Sequence, residues 1–375
     1  MSDREKIKGR ATPQGTKRIA ERFKMDGSYR TGQGLSWSTI GLGTYQGEMD
    51  DATDRAVEDA VAAAFAAGIN HFDAAINYRG QRGERSLGRA LAKAAATESK
   101  RAEIVVATKG GILPVDGERK EDPAAYARRT YVDPGVVTED DILGGAFCFA
   151  PDFLEFSIGQ SLDNLGLETV DVFYLHNVEY VKPRLGPEAF AALLARAFER
   201  LEEMVVRGKI AAYGLATWIG LRANPAHAAH VSLEGVLRIA ESVAGAGHHL
   251  RFVMAPFSLA LPEAMDLETQ SVGGERLTLA EAARRLAIGL VGSAPLAGGQ
   301  LAGRWPGVPA ERSDLARGMS AMQQALQFAR SVPGFLSTLS GFKDPGHVAE
   351  NLALFSGAMP WEREDLAEFM AAAQE

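Results

Sequence analysis

Along the chain, short apolar runs alternate with longer stretches in which apolar positions recur at helical spacing. The short runs fall at 39–43, 70–73, 104–108, 170–175, 211–215, 251–255, 289–293 and 335–339; each has strand length and gives way to a turn or loop. Between them, 51–67 reads as a helix: acids open it, Val57, Val61, Ala64 and Phe65 repeat at helical spacing, and Gly68 stops it. Residues 151–165 and 187–207 behave alike, each with proline at the start and glycine just past the end. Strands alternating with helices in this way predict parallel βα units. A closed (β/α)8 TIM barrel fits better than an open doubly wound sheet. The first strand runs Ile40-Gly41-Leu42-Gly43-Thr44-Tyr45 with no G-x-G-x-x-G phosphate turn after it.

Length and composition leave that picture standing. No Pro-, Gly- or Ser-rich linker divides the 375 residues, so 38–375 reads as a single barrel domain and 1–37 as an N-terminal extension. The basic residues Arg4, Lys6, Lys8, Arg10, Lys17 and Arg18 of that extension are interleaved with acids and read as a solvated tail. A net charge of −8 argues against nucleic acid as the partner. No apolar run approaches the ~18–20 residues of a membrane span, and the start lacks a signal-peptide core. A single cysteine, Cys148, rules out an internal disulfide, and a soluble cytoplasmic protein is expected. Two stretches, 110–150 and 218–230, break the rhythm. Both follow strands, so both are expected as long loops on the C-terminal face, where barrel active sites sit.

Four polar residues stand at or just past three consecutive strand ends: Asp73, Tyr78, Lys109 and His176. Consecutive barrel strands are neighbours, so the four can converge at one mouth. A lysine pointing there needs a counter-charge, and Asp73 is well placed to supply it. An ammonium beside Tyr78 is expected to lower the phenol pKa from ~10, making it a proton donor or acceptor near neutrality. His176 can hydrogen-bond a carbonyl oxygen. Such a set polarises a carbonyl but carries no hydride, so a reduction needs a cofactor. The plainer reading is a structural ion pair with a packed tyrosine and a satisfied histidine.

Taken together these motifs resemble the aldo-keto reductase family, from about Ser38 to Ala353. The family's F-D-T-A-x-x-Y appears as Phe72-Asp73-Ala74-Ala75-Ile76-Asn77-Tyr78, its T-K as Thr108-Lys109, and its strand-four histidine as Leu175-His176-Asn177. Residues 161–171, S-L-D-N-L-G-L-E-T-V-D, resemble the family's approach to that strand. The resemblance implies an NADPH-dependent reductase of a small carbonyl substrate, with Tyr78 as general acid, Lys109 and Asp73 tuning it, and His176 orienting the substrate.

The resemblance also implies a cofactor side. The segment 340–351, S-G-F-K-D-P-G-H-V-A-E-N, resembles the part that holds the adenosine phosphate through a basic residue and a helix N-terminus. It contributes Lys343, His347, Glu350 and Asn351, and Lys343 leans towards NADPH over NADH. Pro295, Leu296 and Leu301 resemble the loop over the pyrophosphate, and Thr44 joins the cofactor-binding positions. The nicotinamide end departs from the pattern. The usual serine and asparagine are Ala216 and Thr217, the strand-six glutamine is Met254, and the stacking tyrosine is Ser293. Thr217 replaces one hydrogen bond; Met254 donates none, and each lost contact is worth about 0.5–1.5 kcal/mol. That departure keeps open a redox-neutral lyase or isomerase, or a nucleotide-binding regulatory protein, on the same fold. Among the remaining residues, His227 and His230 read as a loop pair more than a metal site, and His248-His249 as a loop doublet. Cys148 reads as a bystander thiol. Trp218 and Trp305 are either an aromatic wall or packing.

Overall fold

The computed structural model describes residues 5–119, 121–341 and 343–374; Arg4, Lys120 and Phe342, which fall in stretches singled out above, lie outside the described residues. Eight parallel strands close into one barrel in the order β11-β12-β3-β4-β5-β6-β7-β8. They are β3 (Ile40–Gly43), β4 (His71–Asp73), β5 (Val105–Gly110), β6 (Val170–His176), β7 (Ile210–Ala216), β8 (Leu250–Pro256), β11 (Gly289–Ser293) and β12 (Phe335–Ser340). Each lies within two residues of its expected position. Two small hairpins complete the strands: β1 (Tyr29–Gly32) with β2 (Leu35–Ser38), and β9 (Gln270–Val272) with β10 (Glu275–Leu277).

Side chains on a strand alternate between faces, and the barrel sorts them accordingly. Ile40, Phe72, Val106, Phe173, Leu215 and Val253 face outward into one core shared with the helices. Val105, Ala107, Val172, Tyr174, Ala212, Ala216, Phe252, Met254, Val291 and Leu339 fill the interior. The outer helices end as the sequence signals. Helix α1 (Pro13–Phe23) is capped by Thr12, and α2 (Asp51–Ala66) by Asp50, whose side chain accepts from Thr53 N. They are followed by α3 (Arg82–Ala94) and by α4 (Pro151–Leu165), which ends on left-handed Gly166. The long α5 (Lys182–Val206) is broken at Gly186, whose φ of 76° leaves the helical region, so its main body begins at the expected proline. None of the helices among the described residues is long and apolar enough to cross a membrane.

The N-terminal segment is not the solvated tail its charge pattern suggested. Ile19 on α1 is buried, Ala11 N donates to Asp171 Oδ1 at 2.6 Å, and Arg22 pairs with Glu103. The β1–β2 hairpin carries Trp37 into the barrel interior, edge-on to His71 at 5.0 Å and tilted against Phe252 at 5.3 Å. A short helix face and one tryptophan bury enough apolar area to outweigh solvation of the charges, which stay at the rim.

The 110–150 stretch is likewise folded: a short helix, Pro123–Ala127, runs into a wide turn, and Tyr126, Tyr131, Val137, Cys148 and Phe149 are buried. It rises from the end of β5, on the face expected.

The floor of the barrel holds a buried imidazole. His71 Nδ1 lies 2.9 Å from Ser337 Oγ, and burial, aided by the Lys109 charge, pushes its pKa down to about 3. The unfolded chain takes up that proton near ~6.5, so this contribution to stability is whole above that pH and is lost progressively as pH falls from there towards the folded value. Urea unfolding at about pH 7 and about pH 5, wild type against His71→Gln, should show the wild type losing about 2 kcal/mol more over the interval. Equal losses in the two would remove His71 as an acid-sensitive element.

Candidate active site

The alternation that fills the barrel also aims its chemistry. Asp73 shares a face with His71 on β4, Lys109 with Val105 and Ala107 on β5, and His176 with Val172 and Tyr174 on β6. All three therefore turn inward at the C-terminal rim. Lys109 Nζ is saturated: it pairs with Asp73 Oδ2, and donates to Ala74 O at 3.0 Å and Tyr78 Oη at 3.1 Å. The same ammonium sits 4.7 Å from the Tyr78 ring centroid. The Tyr78 and His176 rings meet edge to face at 5.9 Å, so the structure brings all four residues together.

Burial sets the protonation of each. For Lys109 it works against the charge, yet Asp73 and Tyr78 outweigh it and hold the pKa above the ordinary lysine value. For His176 burial and then Lys109 push the same way, far below the usual imidazole value, so the ring is neutral. Tyr78 runs against the sequence expectation: burial raises its pKa, and the attraction of Lys109 offsets only part of that. The phenol is half-buried, and the Lys109 ammonium tempers the rise without reversing it. Tyr78 therefore carries its proton at neutral pH.

Several buried polar atoms at this mouth have no hydrogen-bond partner: Thr44 Oγ1, Asp73 Oδ1, Asn77 Oδ1 and His176 Nδ1. Each such atom costs about 1–3 kcal/mol unless something polar meets it. Their concentration around Tyr78 suits a polar ligand.

The candidate cofactor residues occupy the other arc of the rim. Ala216 pairs in register with Met254, and Ser293 with Pro256, so β7, β8 and β11 present them side by side. Met254 and Ala216 point into the apolar interior with Tyr174. Thr217 and Ser293 offer hydroxyls there, and Thr217 Oγ1 already accepts from Leu221 N at 3.3 Å. Pro295 is buried and Leu296 and Leu301 are half-buried in the turn after β11, where Leu301 N donates to Leu296 O at 3.3 Å.

Lys343 follows β12 and lies beside Gly47 of the β3–α2 loop. His347 is exposed, and Glu350 and Asn351 are half-buried on the helix Pro345–Gly357. The free N–H groups expected at that helix start are already used, because Asp344 Oδ1 accepts from Gly346 N at 2.9 Å and His347 N at 3.4 Å. Lys343 remains as the basic group.

Other readings resolve. His230 Nε2 lies 2.8 Å from Thr269 O and His227 Nδ1 accepts from Ala229 N, and among the described residues no cluster suited to a metal ion occurs. His249 pairs with Glu202. Cys148 is fully buried, and burial pushes its thiol up to about 12, so it is an inert bystander. Trp305 packs edge-on against Phe369, whereas Trp218 is exposed at the mouth. The sequence reading missed Tyr45, which packs on Tyr78 with centroids 5.0 Å apart, and Glu179, whose buried carboxylate accepts from Trp218 N and Ile219 N. Neither belongs to a periodic pattern, and only their nearness to strand ends marked them.

The model of the Aldo/keto reductase family matches residues 39–239. A D-threo-aldose 1-dehydrogenase of Pseudomonas sp is 30% identical over 158 residues, which is 42% of this chain; the match spans 42% of that curated relative's length. Among solved structures, a Klebsiella pneumoniae aldo/keto reductase in complex with NADP and acetate superposes with a TM-score of 0.59 at 18% identity, covering 92% of this chain and 94% of its own. A glycerol dehydrogenase of Gluconobacter oxydans gives 0.62 at 20%, covering 93% and 95%. At these identities the structures share the fold.

Removing one half of the buried pair tests how the site is held. Lys109→Met should cost about 3–5 kcal/mol in urea unfolding, because it leaves Asp73 buried without its partner. The double variant Asp73→Asn with Lys109→Met should recover most of that loss. A single variant as stable as the double would show that the pair does not anchor the mouth.

Proposed function

Because the chain belongs to the aldo/keto reductase family, we propose that it is an NADPH-dependent reductase of a small aldehyde or ketone with Tyr78 as the proton donor. The observation that carries this reading is the Lys109 ammonium, bound to Asp73 and 3.1 Å from the Tyr78 oxygen. A substrate oxygen placed between Tyr78 and His176 accepts a hydrogen bond from the neutral imidazole and then the phenolic proton. Lys109 stabilises the tyrosinate left behind, so charge develops next to a cation already paid for by folding. The reduced nicotinamide, when bound, supplies the hydride. On the chain's side, Thr217 would hold the carboxamide, the turn at Pro295, Leu296 and Leu301 the pyrophosphate, and Lys343 the adenosine phosphate, with Thr44, His347, Glu350 and Asn351 as the further candidates.

A second reading keeps the fold without hydride transfer: proton shuttling by Tyr78, Lys109 and His176 in a redox-neutral lyase or isomerase. The interior placement of Met254 and Ala216 favours it, since neither donates a hydrogen bond to a nicotinamide.

Fluorescence titration with NADPH and NADH separates the two. The reductase reading expects NADPH to bind more tightly, with Lys343→Met weakening NADPH about tenfold and NADH little, the scale of one charge-assisted contact. On an aldehyde panel, Tyr78→Phe should lower kcat by about 10²–10⁴-fold while leaving NADPH affinity near the wild-type value. Absence of binding of either nucleotide at millimolar concentration sinks the reductase reading.

A further inference from the structure

We propose that Arg79 is the positioning residue that fixes Tyr78, acting as a five-point clamp between the two loops that meet over the barrel mouth. The inference rests on the reading of Tyr78 as proton donor. Arg79 follows Tyr78 directly and, though not glycine, holds a left-handed backbone with φ 49°; Gly80 and Gln81 continue in the same region. Such a conformation is strained for a non-glycine residue and persists only where surrounding contacts hold it.

Those contacts come from the Arg79 side chain, which is almost wholly buried. A guanidinium has five N–H donors in a rigid fork, and here each finds an oxygen. Nε donates to Thr44 O at 3.4 Å; Nη1 donates to Glu48 O at 3.5 Å and to Asp54 Oδ1 at 2.7 Å. Nη2 donates to Arg82 O at 3.3 Å and to Ser86 Oγ at 3.0 Å. Thr44 and Glu48 lie on the β3–α2 loop, which also carries Tyr45 against the Tyr78 ring. Arg82 and Ser86 lie in the first turns of α3. One planar group therefore ties the loop bearing Tyr78 to the loop that packs on it, and both to the helix behind.

The clamp leaves little slack at the phenol. Gly83 N donates to Tyr78 O at 3.1 Å, and a Cβ on Gly83 would sit 3.0 Å from both Tyr78 Cβ and Thr44 Oγ1. Displacing the Thr44 segment opens the space beside Tyr78 and moves its oxygen relative to Lys109.

Two variants separate the clamp from the backbone. Arg79→Gly removes the fork while relieving the left-handed strain. Asp54 keeps Arg82 and Arg89 as partners, so no buried carboxylate is orphaned. Arg79→Lys keeps the charge but not the fork, and stands in if the glycine variant does not fold. The clamp predicts that kcat falls roughly tenfold to a hundredfold in both, the scale of a misplacement of about 1 Å.

Guanidinium ion added well below denaturing concentrations should restore part of the activity of Arg79→Gly and none to Arg79→Lys. Tyr78 ionisation, read as the 295 nm absorbance difference against Tyr78→Phe, should move to lower pH as water reaches the phenol. A kcat within twofold of wild type, or an unshifted ionisation with no rescue, overturns the clamp. Lack of carbonyl turnover by the wild type counts against the reductase reading instead, and the ionisation measurement still judges Arg79.

Discussion

A charged ammonium held inside the mouth of a barrel constrains everything around it. Lys109 is wholly buried, and an unpaired ion there costs several kcal/mol. Asp73 ends the neighbouring strand, so the parallel pairing of β4 with β5 brings the two together without any loop having to search. Ala74 O and the Tyr78 oxygen take the remaining donors. One cation thereby ties the strand ends together, tempers the rise that burial gives the phenol and adds to the burial that keeps His176 neutral. Properties that look separate in the sequence share one electrostatic neighbour.

That cause explains which parts were legible. Burial on both faces of a strand leaves a continuous apolar run, which is a local signal, so eight strands could be read from short apolar runs, and strand ends then marked where inward polar residues gather. Tyr78 was found by the same route, five residues past Asp73. Its pKa direction was misread because proximity of Lys109 is visible in a motif whereas dehydration is not. Burial depends on what covers the phenol, and that cover comes from Tyr45 and the β3–α2 loop.

The N-terminal segment failed for a related reason. Its anchors, Asp171 for Ala11 and Glu103 for Arg22, lie far along the chain, and nothing near residue 11 announces them. Charge interleaving described its rim accurately and its buried face not at all. At the Pro345 helix the error ran the other way. An aspartate before a proline-started helix is itself an N-cap signal, and the carboxylate takes up the N–H groups that a phosphate was expected to meet.

The rim then divides by how its residues are held. The arc of β4, β5 and β6 carries polar groups on rigid strand ends, with Asp73 and Lys109 bound to each other across two of them. The arc of β7, β8 and β11 carries Ala216, Met254 and Ser293, whose side chains make few polar contacts. Between the arcs stand loops that no periodicity encodes, closed by left-handed Arg79 and Gln81. Gln81 Nε2 donates to Val115 O and to Tyr126 Oη, both in the long insertion, as Arg79 does to the β3–α2 loop. A glycine in either place would adopt the turn without strain but would tie it to nothing. Side chains here accept the strain and hold two irregular loops against the Tyr78 loop, so order at the mouth comes from hydrogen bonds specific to this sequence, and the barrel beneath supplies only the directions in which they point.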